Sequence, residues 1–366
     1  MDDLTITNTI SEIQDIVRSQ PHVAPRGCGS KTGLFDPSPA AVPLELGGLS
    51  GMLEYQPEEY TFTALAGTPL TEVEQALAEH GQYLPFDPPL GSRGATLGGT
   101  VAAGLSGPGR YRYGGVRDFI LGAQFIDGQG ELVHSGGKVV KNAAGFDLSK
   151  WMVGSLGGYG ALVVLSFKVF PRPAAYASVQ ADYPDLAAAL DGLMRLTGAP
   201  FDLYGLDLVP DKERATLLAR LGGPPETFPK RTARLEDLLA SPATPDCRVL
   251  EGAAEASLWQ AARECDWLPT GQALVKIPLT PGRVAALDAR LGEAGATRRY
   301  SVGANLAWVA WPGTLEALEA LLSEQQLAGL VVLGPPGKPR LGMHTGEAFA
   351  RRVKQALDPA GKFGAL

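Results

Sequence analysis

Ile13, Ile16 and Val17 fall on one side of a 3.6-residue period, so residues 10–19 are predicted to form an amphipathic helix. Residues 23–26 form a short strand-like run that enters Gly27-Cys28-Gly29-Ser30, while 41–46 and 61–66 alternate or run apolar like strands. Thr71, Glu74 three residues on and Gly81 mark 71–80 as a helix with both ends signalled. Residues 85–89 read as rigid loop, and 95–105 as a small, glycine-rich stretch. The apolar runs 119–127 and 131–135 flank Asp127-Gly128-Gln129-Gly130, a hairpin turn. Residues 148–153 are predicted helical, and 161–169 form a strand ending at Pro171-Arg172-Pro173.

That proline pair marks a boundary, beyond which strands and helices alternate at longer spacing. Strands are expected at 176–181, 201–208, 273–279, 299–311 and 330–333, and helices at 183–197, 257–265, 284–294 and 314–325. Residues 217–245, with Gly222-Gly223-Pro224-Pro225 and Ser241-Pro242, read as an irregular, exposed insertion. Two β-α-β units around a helical insertion imply a ferredoxin-like α+β domain. Residues 346–357 form a basic helix stopped by Asp358-Pro359-Ala360-Gly361. No sequence repeat or low-complexity tract is visible. The division is 1–172, 173–334 and 335–366.

Composition narrows the class. At 366 residues, with 45% hydrophobic and 19% charged residues, the chain is long enough for two globular domains. Its 32 Lys+Arg against 39 Asp+Glu leave a net charge of −7, which argues against nucleic acid and against charge-driven lipid binding. Ala161-Leu162-Val163-Val164-Leu165 is among the longest apolar runs, so no transmembrane segment is expected. Cys28, Cys247 and Cys265 lack disulfide or metal spacing, four scattered histidines make no metal site, and Met1-Asp2-Asp3-Leu4 lacks the start of a signal peptide. A soluble cytoplasmic protein is expected, attached to a membrane at most through partners.

Glycine carries the functional signal: 19 of the 46 glycines lie between Gly91 and Gly160. In Arg26-Gly27-Cys28-Gly29-Ser30-Lys31 a strand leads into glycines, a hydroxyl and a cation, a turn whose backbone N–H groups suit phosphate oxygens. It fits neither a dinucleotide Gly-x-Gly-x-x-Gly pattern nor a P-loop, and a plain turn explains it equally well by itself. In the second loop, Gly91 to Gly104, almost every side chain is small, so backbone could lie directly against a large ligand. A third stretch runs from Lys141-Asn142-Ala143-Ala144-Gly145-Phe146-Asp147 to Gly154-Ser155-Leu156-Gly157-Gly158-Tyr159-Gly160. Three such segments on one α/β lobe imply a single long ligand, such as a dinucleotide.

Four ordered motifs resemble the FAD-binding domain of the vanillyl-alcohol oxidase / p-cresol methylhydroxylase superfamily. Pro25-Arg26-Gly27-Cys28-Gly29-Ser30 is similar to its Arg-Gly-Gly-Gly pyrophosphate loop, and Ala95-Thr96-Leu97-Gly98-Gly99-Thr100-Val101-Ala102 to its Ala-Thr-[Ile/Leu]-Gly-Gly-x-[Val/Ile]-Ala segment. Arg112-Tyr113-Gly114-Gly115-Val116-Arg117-Asp118 and Gly154-Ser155 through Gly160-Ala161-Leu162 are similar to the other two. The resemblance is specific over residues 10–172; over the remaining chain, order and size resemble the FAD-binding subunits of bacterial glycolate oxidases. It implies a two-lobed FAD-binding domain formed by 1–172, a ferredoxin-like cap formed by 173–334, and a segment 335–366 returning to the FAD domain.

The resemblance also implies FAD contacts at Arg26, Gly27, Cys28, Gly29, Ser30 and Lys31, and at Thr96, Gly98, Gly99, Ala102 and Gly104. Further contacts are implied at Gly114 and Asp118, and at Gly154, Ser155, Gly160, Ala161 and Leu162 beside the isoalloxazine and ribityl chain. Some relatives attach flavin through a first-loop histidine; Gly29-Ser30-Lys31 has none, so the FAD is expected to be noncovalent. Relatives that oxidise 2-hydroxy acids carry Gly-Asp-Gly-Asn with flanking histidines in the second domain, whereas His344 is the only histidine between Pro173 and Leu366. The catalytic residues therefore stay unassigned. The implied partners are a second flavin subunit with the substrate site and an iron–sulfur subunit, this chain relaying electrons or supporting assembly. The alternatives are a self-sufficient oxidoreductase of a small 2-hydroxy acid and a scaffold without FAD.

Other residues are weighed against ordinary structural roles. His344 could accept a proton near flavin, but an exposed helix start is the simpler expectation. Arg110 and Arg112, with Tyr111 and Tyr113, could receive a carboxylate or phosphates, or form a solvated loop. Lys138 and Lys141 read as solvated strand ends, Trp308 and Trp311 as packing, and Cys28 as a small filler.

Overall fold

The Asp2 carboxylate accepts a hydrogen bond from the Thr5 N–H at 2.8 Å, so the first helix runs Asp3–Ser19 and starts earlier than its apolar periodicity indicates. The computed structural model describes residues 2–34, 40–137, 147–212, 214–240 and 246–364. Two compact units are present: Met1–Ser106, Gly115–Arg172 and Thr345–Leu366 form the first, and Gly107–Gly114 with Pro173–His344 form the second.

In the first unit an antiparallel sheet has the order Met52–Gln56, Thr61–Leu65, Ala161–Lys168, Ile120–Ile126, Leu132–Gly136. Its last two strands are the expected hairpin, with Asp127 Oδ1 accepting from the N–H groups of Gln129 and Glu131, both at 2.9 Å. Separately, Val23–Arg26 pairs in parallel with Val42–Glu45. Val23 and Leu44 from this pair join Ile13, Val17, Ile126, Val163 and Phe363 in one apolar cluster, which anchors the strand leading into the first loop. The helix expected at 71–80 is Leu70–Ala78; its N-cap is Pro69, and Thr71 lies within its first turn.

Residues near the end of the chain belong to this unit. The Asp358 carboxylate accepts from the N–H groups of Lys362 and Phe363, each at 2.8 Å, and from Lys354 Nζ at 2.7 Å. The Val23 N–H donates to the Lys362 carbonyl at 2.8 Å, joining the 358–363 turn to the first strand.

The second unit is built on a nine-stranded antiparallel sheet. The chain passes through Ala175–Tyr183, helix Leu186–Thr197, Leu203–Pro210, Ala215–Gly223, helix Phe228–Leu239 and Asp246–Glu251. These four strands lie in the order fourth, first, third, second, the ferredoxin-like arrangement. After helix Gly252–Glu264 the pattern returns: Ala273–Pro278, helix Val284–Glu293, Thr297–Ser301, Leu306–Trp311, helix Leu315–Glu324 and Ala328–Leu333. The second strands of the two halves meet at Leu208 and Tyr300. The unit is thus a topological duplication, although the sequence shows no repeat. Alternation sets its faces: Ala177, Val179 and Ala181 enter the helix-covered core, while Ser178 lies in a polar network on the other side.

Two expectations need correction here. Residues 217–240 are not an irregular insertion, because 217–223 lie in a central strand and Phe228–Leu239 is a helix burying Phe228, Leu235 and Leu239; 241–245 lie outside the described residues. Gly222 lies where a Cβ would stand 2.8 Å from the Tyr204 ring, so this glycine serves packing. Arg340–Gly342 is the last strand of the second sheet, so the chain rejoins the first unit at Thr345 rather than at 335.

Candidate functional site

In the first unit, three glycine-bearing segments converge. A Cβ on Gly27 would stand 2.6 Å from Thr96 Oγ1, which places the first loop against the second. Gly29 has φ +69, and the Arg26 guanidinium lies over it while also approaching Glu45 at 4.0 Å. Cys28 is exposed, and its Sγ would be 3.8 Å from a Cβ on Gly47. Lys31 is only 9% exposed, and its Nζ lies 3.4 Å from Ser30 Oγ. Burial pulls the Lys31 amine down to about 8, and an electrostatic interaction with Cys28 works against that shift.

The second loop turns into helix Leu97–Ala103, whose Thr96 cap accepts from the Gly99 N–H at 3.2 Å. Gly98 packs against Ala66, whereas a Cβ on Gly99 would face Thr96 Oγ1 at 3.0 Å and Lys31 Nζ at 3.8 Å. The third segment is held by carbonyls of the helix's last turn: Gly154 N–H donates to Val101 O at 2.9 Å and Leu156 N–H to Ala102 O at 2.8 Å. Gly104, with φ +62, caps that helix where a Cβ would stand 3.1 Å from Gly154 Cα. Gly157 would place a Cβ 3.5 Å from Pro25, closing the ring of segments back to the first.

Three polar groups lack the company that burial normally demands. Ser155 Oγ and Thr100 Oγ1 are buried without a hydrogen-bond partner among the described residues. Among the described residues, Lys31 Nζ has only the long contact with Ser30. Beside them, a Cβ on Gly154 would meet nothing within 4 Å. An amine, two hydroxyls and uncovered glycine backbone suit a ligand with phosphate and hydroxyl oxygens, so the donor set fits FAD. Thr100 was absent from the expected contacts; its place directly after Gly98-Gly99 was the available signal.

The remaining expected contacts divide. Gly160 would drive a Cβ to 2.6 Å from Ile126 O, and Ala161 and Leu162 are buried at the start of their strand, so these three have clear packing roles. Asp118 accepts from the Gly115 N–H at 2.8 Å in a local cap. Gly114, with φ +86, ends helix Arg110–Tyr113 in the second unit. Residues 138–146, including Lys138 and Lys141 through Phe146, lie outside the described residues; Asp147 caps helix Leu148–Trp151.

In the second unit Arg112 is held by Asp202 at 3.3 Å and stacks 4.5 Å from the Tyr204 ring centre, so it is not a freely solvated loop residue. His344 is half-buried and precedes helix Glu347–Leu357; its Nε2 is buried without a partner among the described residues. The exposed helix start expected there is not observed. Trp308 and Trp311 are buried, with Trp311 Nε1 donating to Thr314 O at 2.8 Å. Sequence reading also missed Lys276, whose amine burial and the Arg110 charge bring down to about 8.

Residues 5–136 match the FAD binding domain family, so this part of the chain is an FAD-binding domain of the p-cresol methylhydroxylase-type fold, with FAD as its cofactor. Among curated relatives, glycolate oxidase subunit GlcE of Escherichia coli (strain K12) is 45% identical over 156 residues, 43% of this chain and 44% of that protein. Glycolate oxidase subunit GlcD of Bacillus subtilis (strain 168) is 27% identical over 231 residues, 58% of this chain and 49% of that protein. The chain thus spans less than half the length of each in the matched region. A solved alkyldihydroxyacetonephosphate synthase shares the fold with a TM-score of 0.70 at 16% identity, covering 96% of this chain and 73% of that one.

Proposed function

We propose that this chain is the FAD-binding subunit of a multi-subunit glycolate (2-hydroxy acid) oxidase or dehydrogenase. Its partners in this reading are a second flavin subunit that holds the substrate site and an iron–sulfur subunit that accepts electrons. The observation that carries the cofactor assignment is the set of buried, unpartnered groups at Lys31, Thr100 and Ser155 around open glycine backbone. FAD is held noncovalently, the first loop offering no histidine. Lys31 and the Gly27–Thr96 contact would hold its phosphates, while Ser155 and the Gly154 backbone would meet its ribityl and ring portion. The bound flavin supplies two-electron or one-electron transfer; the protein fixes its position and excludes water. What supports an accessory role is the histidine count of the second unit: His344 is the only histidine after Pro173.

The competing reading is a self-sufficient 2-hydroxy acid oxidoreductase. Likeness to D-2-hydroxyglutarate dehydrogenase of Xanthomonas citri pv. viticola, 31% identical over 176 residues, favours it. Anaerobic mixing of the FAD-loaded chain with glycolate, D-lactate or 2-hydroxyglutarate separates the two through flavin absorbance. The accessory reading expects no bleaching with the chain alone and reduction once a partner flavin subunit is added. Rapid bleaching of the chain alone establishes the self-sufficient enzyme.

A further inference from the structure

A buried cation without a carboxylate is the least expected feature of the first unit. Lys31 is nine-tenths buried, no described carboxylate lies within ion-pair distance, and its one hydrogen-bond partner among the described residues is the Ser30 hydroxyl at 3.4 Å. It faces Gly99 across the gap between the first two loops, where a Cβ would stand 3.8 Å from Nζ. Building on the FAD assignment, we propose that Lys31 is the proton-linked counter-cation of the FAD pyrophosphate, so that FAD affinity falls as this amine loses its proton.

Burial disfavours the ammonium form and brings the Lys31 amine to about 8 in the free protein. A pyrophosphate at the site favours the ammonium form, so the pKa rises when FAD binds. The bound state then holds more protons than the free state above about pH 8, and linkage requires affinity to fall as pH rises through that region. The groups around Lys31 are few. Its own loop brings Cys28, which acts on it electrostatically, and Arg26, which is turned toward Gly29 and Glu45. Helix Leu97–Ala103 brings no ionisable side chain, and the Thr96 hydroxyl that caps it does not titrate in this range.

The test is the dissociation constant of FAD from the apoprotein, read by flavin fluorescence between pH 7 and 9. With only the ammonium form binding, affinity should weaken by roughly ten-fold across that interval. Calorimetry at pH 8 in two buffers of different ionisation enthalpy should show fractional proton uptake on binding. Lys31→Arg, charged throughout, should bind with a flat pH profile, and Lys31→Met should bind weakly and equally flatly. A flat wild-type profile overturns the proposal while leaving the FAD assignment intact. The same follows if the slope survives in Lys31→Arg. FAD binding by none of these proteins, although each is folded, overturns both readings.

Discussion

A side chain on Gly98 would place its Cβ 2.8 Å from the Ala66 Cβ and 2.9 Å from the Ala66 carbonyl oxygen, inside a packed interior. One residue on, a Cβ on Gly99 would point at Thr96 Oγ1 and Lys31 Nζ, on the side where ligand is expected. Sequence reading assigned both to the cradle, since adjacent glycines look alike until a strand end is packed against one of them. The two therefore respond differently to substitution. Gly98→Ala is expected to lower the stability of the apoprotein by roughly 1–3 kcal/mol through overpacking, measured as a fall in the denaturant midpoint. Gly99→Leu is expected to leave that midpoint nearly unchanged and to empty most of the flavin from the purified protein, seen as lost absorbance at constant protein. Equal flavin content in Gly99→Leu and wild type would make this segment an ordinary turn.

At the level of elements, legibility followed chemistry more than hydrophobicity. The glycine loops were readable because backbone exposure needs a visible residue type, and the 120–136 hairpin because its turn residues are specific. Strand Asp246–Glu251 was missed because it is a mostly exposed edge whose polar sequence alternates weakly. Strand Ala215–Gly223 was missed because Gly222-Gly223-Pro224-Pro225 looks like irregular chain, although Gly222 is there to admit Tyr204. The 358–363 turn was read only as a helix stop, yet it forms a polar knot. Asp358 is almost fully buried and accepts three hydrogen bonds, one from an ammonium group that also donates to Gly158 O at 2.6 Å. Asp358→Ala removes the acceptor and leaves a nearly buried cation and two N–H groups without it, a loss of about 3 kcal/mol. Thermal denaturation should show the corresponding drop, and limited proteolysis should cut first within 345–364. An unchanged melting temperature would mean that the knot is redundant with Phe363 packing.

For the whole molecule, the two-part organisation was legible from the proline pair at 171 and 173, while the duplication in the second unit was not. Two halves can share strand order with unrelated residues because topology needs only alternating apolar positions and helices of suitable length, and many sequences meet that condition. The excursion of Gly107–Gly114 into the second unit was also invisible, since nothing in Arg110-Tyr111-Arg112-Tyr113 announces which sheet it joins. What sequence could convey was the set of glycine loops that the first unit brings together.

The pairing of Val23 with residues 362 and 363 has a consequence for the order of events during synthesis. The strand that carries the first loop is made early, but its N–H partner at Lys362 and its apolar neighbour Phe363 emerge some 340 residues later, by subtraction of the two positions. The second unit, continuous in sequence from Pro173 to His344 apart from one short excursion, is translated before that partner exists. Translation is slow enough for domains to form as they emerge. The first unit is therefore expected to stay an open clasp until residue 363 emerges, with flavin capture following that step. Ribosome-arrested chains ending at 345 should take up little FAD, and chains long enough to expose residue 363 should retain it after gel filtration. Equal uptake by both would show that the clasp closes without its distal half. On this ordering, an interrupted translation product is colourless as well as incomplete.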